Sequence, residues 1–304
     1  MNHYPIATPR IVLGESGFLR PGGWRWLRSL AWMIALFVLV LIAVGPGMAA
    51  LRAILPTGEP HVAFVANVIS GLVALAVYAV AVRIGEKRRP GELAIAAAPA
   101  QLAAGLTLGA AMLGTVMAIL AALDLYTIDW IGAAPMWRAA GHAIQAALIE
   151  EILVRAVLFR LLWRALGVVP AFVASAAIFG VSHIFNPGAT VVSVLCIALE
   201  AGIMLGALYA LTGRLWVSIG VHAAWNFAQG YVFGAAVSGQ AAGPALAQSI
   251  ARPDASVVLT GGSFGPEASL PALLVCTGVG LGALWLAWKR GQLSLAQVPA
   301  QADA

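Results

Sequence analysis

The chain has 304 residues, of which 62% are hydrophobic and only 10% are charged, and its mean hydropathy is +0.93. A soluble protein carries about 25% charged residues and exposes much of its surface to water, and a disordered chain needs low hydrophobicity, so both classes are excluded. The net charge of +5 is typical of basic loops at a membrane face, and we expect no nucleic acid partner.

Eight apolar windows follow one another along the chain, and each is about long enough to cross the hydrocarbon core of a bilayer. They cover residues 30–51, 62–82, 101–123, 139–162, 168–185, 190–211, 215–237 and 270–288. Because backbone groups in hydrocarbon must be hydrogen-bonded within their own segment, each window predicts a helix. The predicted fold class is all-α, a polytopic membrane protein with a bundle of about eight transmembrane helices.

The bundle is expected to leave a short tail at each end. Residues 1–29 are predicted to form an amino-terminal tail, 30–290 a single transmembrane bundle, and 291–304 a carboxy-terminal tail. With the amino terminus inside, thirteen of the seventeen Lys and Arg residues fall on the cytoplasmic side and three on the other. This asymmetry predicts that both termini are cytoplasmic.

Three local features modify this plan. The sequence Gly45-Pro46-Gly47 is expected to break or kink the first helix near its outer end. The pair Gly202 and Gly206 in the sixth window permits close packing of another helix. The longest loop, residues 238–269, faces outward in this arrangement, and it either folds over the mouth of the bundle or is mobile.

Ionisable side chains inside a span are costly and therefore indicate function. Seven such residues in the windows are candidates for function, together with one uncharged polar residue: His142, Glu150, Glu151, Arg155, His183, Glu200, His222 and Asn226. Glu151 and Arg155 are four residues apart and can form an ion pair on one helix face. Glu150 points elsewhere and has no partner in its own helix, which suits a general base.

Two histidines each have a companion one helical turn away. Phe179 precedes His183 by four residues, so its ring can pack beside the imidazole and orient it. His222 precedes Asn226 by the same spacing, so both side chains lie on one helix face. We expect both histidines to share one site with the two adjacent glutamates.

Other polar residues leave alternatives open. His142 either belongs to the site or is a hydrogen-bonded histidine between helices, and Glu200 either joins the site or bonds a neighbouring helix. The two cysteines, Cys196 and Cys276, lie in apolar runs and are expected to be small buried hydrophobes without a disulfide.

These residues resemble the CAAX prenyl endopeptidase and bacteriocin-immunity family of intramembrane proteases, abbreviated CPBP. The resemblance rests on three motifs in chain order: Glu150-Glu151-x-x-x-Arg155, Phe179-x-x-x-His183 and His222-x-x-x-Asn226. The stretch Tyr209-Ala-Leu-Thr-Gly-Arg-Leu-Trp216 and the tripeptide Gly220-Val-His222 also look like the family's lead-in to its third motif. The resemblance covers about residues 140–227, and the family has either Asn or Asp where this chain has Asn226.

The resemblance implies a membrane-embedded endopeptidase with a polar cavity inside the helix bundle. It assigns catalytic roles to six residues: Glu150 activates a water that His183 helps to hold, His222 and Asn226 stabilise the oxyanion, and Glu151 and Arg155 orient the site. The implied partners are a membrane-associated peptide or protein substrate and the lipid bilayer. The expected location is a bacterial inner membrane, and the sequence assigns no oligomeric state.

The need for a metal is left open by the sequence. Glu150, His183 and His222 are adequate zinc ligands, and zinc acidifies a bound water. The H-E-x-x-H pattern of helical zinc proteases is absent, and a mechanism driven by glutamate alone fits the same residues. No cofactor is therefore assigned, with zinc as the alternative.

Two further functions compete with proteolysis. A non-catalytic scaffold or immunity protein would keep the fold and use the polar cluster for stability or peptide binding. A proton-coupled transporter would use intramembrane Glu and His as a relay, although the sequence shows no repeated halves of the kind common in carriers.

Overall fold

A computed structural model of the chain describes residues 10–54, 58–132 and 134–294. The outer parts of the two predicted tails, residues 1–9 and 295–304, lie outside the described residues. The α-helices are α1 Arg25–Val44, α2 Pro46–Ile54, α3 Pro60–Gly85, α4 Ala98–Ala122, α5 Trp137–Glu151, α6 Arg160–Leu166, α7 Val168–Ser182, α8 Val191–Ile197, α9 Met204–Thr212, α10 Trp216–Phe227, α11 Val257–Thr260 and α12 Leu270–Lys289. Short 3₁₀ turns lie at Gly17–Leu19, Gly91–Leu93, Ile95–Ala97, Gly262–Phe264 and Pro266–Ala268.

The helices confirm an all-α polytopic membrane protein. In the described part of the chain, five are long and apolar enough by themselves to cross a membrane: Arg25–Ala50, Pro60–Gly85, Gly91–Ala122, Val191–Thr212 and Leu270–Lys289. The other three predicted windows also correspond to helices, which are shorter or carry several charged residues. These three helices are the ones that bear most of the motif residues.

Three π-helical segments continue the site helices, and the sequence did not predict them. They are π1 Ile152–Phe159 after α5, π2 Ala198–Ile203 after α8, and π3 Ala228–Val232 after α10. Such segments are rare and often occur at functional sites, because the wider turn redirects side chains. Here each one adjoins or contains a polar residue that the sequence singled out.

The predicted break in the first helix is present. α1 ends at Val44 and α2 begins at Pro46, with Gly45 between them in a non-helical conformation. Proline is tolerated at a first helical position because its missing N–H is not needed there.

A small antiparallel sheet was not predicted. β1 Tyr126–Trp130 pairs with β2 Ala247–Ala251, in a register that sets Tyr126 opposite Ala251 and Trp130 opposite Ala247. The β2 sequence is mostly small or polar residues with low strand propensity, so it carries no strand signal. The sheet ties the loop after α10 to the loop after α4.

Glycines allow two close helix contacts that position the site. A side chain on Gly202 would lie 2.8 Å from the Cα atom of Ala176 on α7, which confirms the predicted close packing at this glycine. A second contact, on α4, was not predicted: a Cβ atom on Gly109 would overlap the carbonyl of Val221. Val221 immediately precedes His222, so α4 sets the position of that histidine.

Replacing Gly109 with Ala is expected to destabilise the protein by about 1–3 kcal/mol, because the added methyl group overpacks the α4–α10 contact. Thermal melting in detergent measures this effect. Gly114→Ala is the matched control on the same helix, since no other atom lies within 4 Å of its added Cβ. Equal melting temperatures for the two variants would contradict the prediction.

A buried charge network lies apart from the motif residues. Arg160 and Arg164 are among the thirteen basic residues that the charge count assigns to the cytoplasmic side, but both lie in α6 and are 0% and 2% exposed. Arg160 forms an ion pair of 2.6 Å with Glu86, and Arg164 donates to the carbonyl of Gly14 at 2.7 Å. The two arginines are buried because carboxylate and carbonyl oxygens surround their guanidinium groups.

Glu86, just beyond α3, joins this network to a second arginine. Arg88 Nε lies 2.6 Å from Glu86 Oε2. Burial acts to raise the pKa of Glu86, but the positive charges of Arg160 and Arg88 outweigh it, so the net pKa is lowered. The carboxylate is therefore ionised and paired across the neutral range.

Candidate active site

A cavity of about 430 Å³ lies between the helices that carry the three motifs. Glu150, His183, His222 and Asn226 all line it, so the structure brings these four predicted residues together. The other two predicted site residues, Glu151 and Arg155, are buried in the bundle next to the cavity. His142 and Glu200 also line the cavity.

Glu151 bridges two motif residues. Its Oε1 atom accepts a hydrogen bond of 3.0 Å from Arg155 Nη1 and another of 3.0 Å from His222 Nδ1. Glu151 is 0% exposed and Arg155 is 1% exposed. The ion pair predicted from the spacing of four is thus present, and it also holds an imidazole from another helix.

Arg155 links the same carboxylate to two neighbouring elements. Its Nη2 atom donates to the Ala201 carbonyl in π2 at 2.5 Å, and its guanidinium carbon lies 4.8 Å from the centre of the Phe179 ring. Arginine suits this position because its planar group can serve several acceptors and stack on an aromatic face. Arg155 therefore ties Glu151 to π2 and to the Phe179 ring.

His222 presents one ring nitrogen to the cavity. Because the carboxylate of Glu151 accepts, Nδ1 carries the hydrogen in this contact. The other nitrogen, Nε2, lies 3.8 Å from Glu150 Oε2, which is longer than a hydrogen bond. Glu150 has a side chain that is 35% exposed, so its carboxylate reaches the cavity rather than the packed core.

His183 is oriented in the same way by a different partner. Its Nδ1 donates to the Phe179 carbonyl at 2.8 Å, since a carbonyl can only accept. The Phe179 and His183 rings meet edge to face with centroids 4.9 Å apart, as the spacing of four predicts. The sequence placed His183 within the fifth window, but α7 ends at Ser182 and His183 caps it.

Asn226 lies one turn after His222 on α10, just before π3. It lines the cavity together with His222, which agrees with the predicted shared face. An amide side chain has two N–H donors, so this position can supply hydrogen bonds to a negative oxygen in the cavity.

The long loop folds over the cavity, which decides between the two alternatives left by the sequence. Ser238 and the segment 240–243 contribute to the lining. Asn186 Nδ2 donates to the Ser238 carbonyl at 2.9 Å and ties the loop to the end of α7. Cys196 and Cys276 are both buried and free, as predicted.

Glu267 is a lining residue that sequence reasoning missed. It is 3% exposed and accepts hydrogen bonds from Gln229 Nε2 at 2.7 Å and from the Ser238 backbone N–H at 2.5 Å. Because it lies in a polar loop, its charge gave no signal of burial. The loop covering the cavity therefore has a buried carboxylate near its junction with α12.

Glu267 is expected to make the stability depend on pH. Burial raises its pKa from 4.5 to about 7, and the hydrogen bonds from Ser238 and Gln229 offset this only in part. The folded chain thus binds the proton of Glu267 more tightly than the unfolded chain does, so the contribution of Glu267 to stability is full below about pH 4.5 and is lost as pH rises through 7. Thermal melting across this range measures the loss, and Glu267→Gln is expected to reduce the slope. The same slope in both proteins would contradict the assignment.

The cavity residues do not form a metal site as arranged. Three or more converging ligands are needed for zinc, and within the described ranges no group of three His, Cys, Asp or Glu side chains is spaced to hold an ion. Glu150, His183 and His222 do not form such a group in the described part of the chain.

Comparison with known proteins gives one match. Residues 132–228 match a family model described as type II CAAX prenyl endopeptidase Rce1-like. No curated protein and no solved structure gives a significant match. The matched segment contains all six motif residues and covers about a third of the chain. The match agrees with the resemblance that the three motifs indicate: this segment is similar to CAAX prenyl endopeptidases of the Rce1-like type.

Proposed function

We propose that the protein is an intramembrane endopeptidase that hydrolyses a peptide bond of a membrane-associated peptide or protein. The observation that carries the proposal is the convergence of Glu150 with His183 and His222 in one cavity. Both histidines are held through Nδ1 by backbone or carboxylate oxygens, which leaves Nε2 free to act. Hydrolysis requires such a base and such donors inside a site sheltered from bulk water.

Glu150 is proposed as the general base. Its carboxylate takes a proton from a water molecule while His183 Nε2 accepts a hydrogen bond from the same water. The oxygen of that water attacks the carbonyl carbon of the scissile bond. Glu150 then passes the proton to the leaving nitrogen as the C–N bond breaks, so protons and electrons balance.

His222 and Asn226 are proposed to stabilise the tetrahedral oxyanion. The imidazolium form of His222 can donate from Nε2 while Nδ1–H remains bonded to Glu151. Asn226 supplies a neutral donor from the same helix face. Glu151 and Arg155 act as positioning residues, because their contact fixes the His222 ring. The mechanism assigns no step to a metal ion.

The chain is an integral membrane protein, and its orientation is part of the proposal. The charge distribution supports cytoplasmic termini, and the proposed location is a bacterial inner membrane. The proposed units are a tail before the bundle, a transmembrane bundle whose core is about residues 140–227, and a tail after it.

Quantitative proteomics of membranes that carry either the native protein or Glu150→Ala tests the activity. Uncut substrates are expected to accumulate with Glu150→Ala, and their cleavage is expected to return with purified native protein in liposomes. Glu59→Ala is the control, because Glu59 is exposed and precedes α3. Equal cleavage by the native protein and Glu150→Ala would overturn the proposal.

A further inference from the structure

The cavity lining carries two carboxylates besides that of Glu150. Glu200 lies in π2 and Glu267 lies just before α12, and each is 3% exposed. Both line the cavity, and the segments that carry them are in contact, because Cys196 Sγ, one turn before Glu200, lies 3.8 Å from the carbonyl of Ala268, which follows Glu267. Neither belongs to the three motifs, and the proposed hydrolysis uses neither.

These two carboxylates differ from the other buried carboxylates in the described chain. Glu86, Glu92 and Glu151 each form an ion pair with an arginine at 3.0 Å or less. The ion pairs among the described residues include none to Glu200 or Glu267. An acid buried without a cation is costly, so this pair stands out in a bundle that neutralises its other buried acids.

Glu200 is the less satisfied of the two. Its Oε1 atom is buried and has no hydrogen-bond partner, whereas both oxygens of Glu267 accept hydrogen bonds from Gln229 or Ser238. An unpaired buried acceptor forfeits the hydrogen bonds that it would make in water. A donor that enters the cavity would restore them.

The cavity as a whole favours a positive group. Its lining includes three glutamates and no Lys or Arg among the described residues, and its basic side chains are His142, His183 and His222. A cation that entered the cavity would pair with the glutamate side chains and favour their ionised form. The missing cation is therefore expected to come from a ligand.

We propose that Glu200 and Glu267 form a subsite that binds a cationic group of the peptide substrate, an ammonium or a guanidinium, in the same cavity as Glu150. This inference rests on the proposed protease function, because it assigns the ligand as a peptide. The cation is either a Lys or Arg side chain or a free amino terminus. The subsite would fix where the peptide lies relative to the catalytic carboxylate.

Peptide binding to the Glu150→Ala protein in detergent tests the subsite without cleavage. The probes are fluorescent apolar decapeptides with one Lys moved along the sequence, each paired with a norleucine peptide that lacks the charge. A second pair compares a free with an acetylated amino terminus. One Lys position, or the free amine, is expected to bind about ten-fold more tightly than its neutral partner, the scale of one hydrogen bond to a charged group.

Adding Glu200→Gln is expected to bring that ratio close to one, and Glu267→Gln is the second variant should the first not fold. Glu59→Gln is the matched control, since it removes an exposed carboxylate and should keep the preference. Ratios near one for every pair, or a preference that survives both cavity variants, would overturn the inference. Absence of cleavage by the native protein would count against the protease and leave the binding ratios to decide the subsite.

Discussion

Glu150→Gln is expected to lower kcat by about 10²–10⁴-fold, the usual contribution of a general base, while the protein stays folded. The amide has nearly the same shape as the carboxylate but cannot take a proton from water. Glu150 has a partly exposed side chain, and its nearest charged partner, His222 Nε2, is 3.8 Å away. Single-turnover cleavage of a substrate identified by proteomics measures the loss.

Glu151→Gln is the control for Glu150→Gln, because the same change from carboxylate to amide is expected to lower the stability at this buried position. Glu151→Gln removes the charge that neutralises Arg155, which is 1% exposed. Breaking a buried pair in this way costs about 3–5 kcal/mol, so this variant is expected to lose stability as well as activity. Intact stability in Glu150→Gln together with full cleavage would refute the role of Glu150 as the base.

Arg160→Met is expected to destabilise the protein by about 3–5 kcal/mol, because it leaves Glu86 buried with only one of its two arginines. The Arg160 guanidinium is 0% exposed and makes two contacts with the Glu86 carboxylate, at 2.6 and 3.0 Å. Unfolding in denaturing detergent measures the free energy of unfolding. The double variant Glu86→Leu/Arg160→Met is expected to lose less than the two single losses combined.

Arg252→Met is the control for Arg160→Met, because it also removes an arginine charge but does so at the surface. Arg252 contacts Asp124 at 2.6 Å, but its side chain is 49% exposed. Exposed ion pairs contribute only about 0–1 kcal/mol, so Arg252→Met is expected to melt close to the native protein. Similar losses for Arg160→Met and Arg252→Met would contradict the buried network.

The local parts of the site could be predicted because helix geometry is regular. Residues four apart share a face, so the Glu151–Arg155 pair and the contact between Phe179 and His183 follow from spacing alone. The apolar windows likewise predict helices, because hydrocarbon leaves the backbone no other way to bond. Family resemblance then joined three local patterns into one site.

Contacts between distant segments could not be predicted in this way. The burial of Arg160 in an ion pair could not be predicted, because its partner, Glu86, lies 74 residues away. Glu267 looked like a polar loop residue until the fold placed Gln229 and Ser238 beside it. The π segments gave no signal either, since each lies inside an apolar window that the sequence predicts as one continuous helix.

The π segments also have a consequence for how arginine is accommodated in a lipid-embedded bundle. Ala156 in π1 accepts from Arg160 Nε at 2.7 Å, and Ala201 in π2 accepts from Arg155 Nη2 at 2.5 Å. The wider turn makes backbone oxygens available as ligands for the guanidinium groups, in place of water. Removing one residue from either segment, so that it forms a regular α-helix, would remove these hydrogen bonds from the guanidinium groups to the main-chain carbonyls. The backbone is therefore part of what allows this protein to keep cations where the membrane would otherwise reject them.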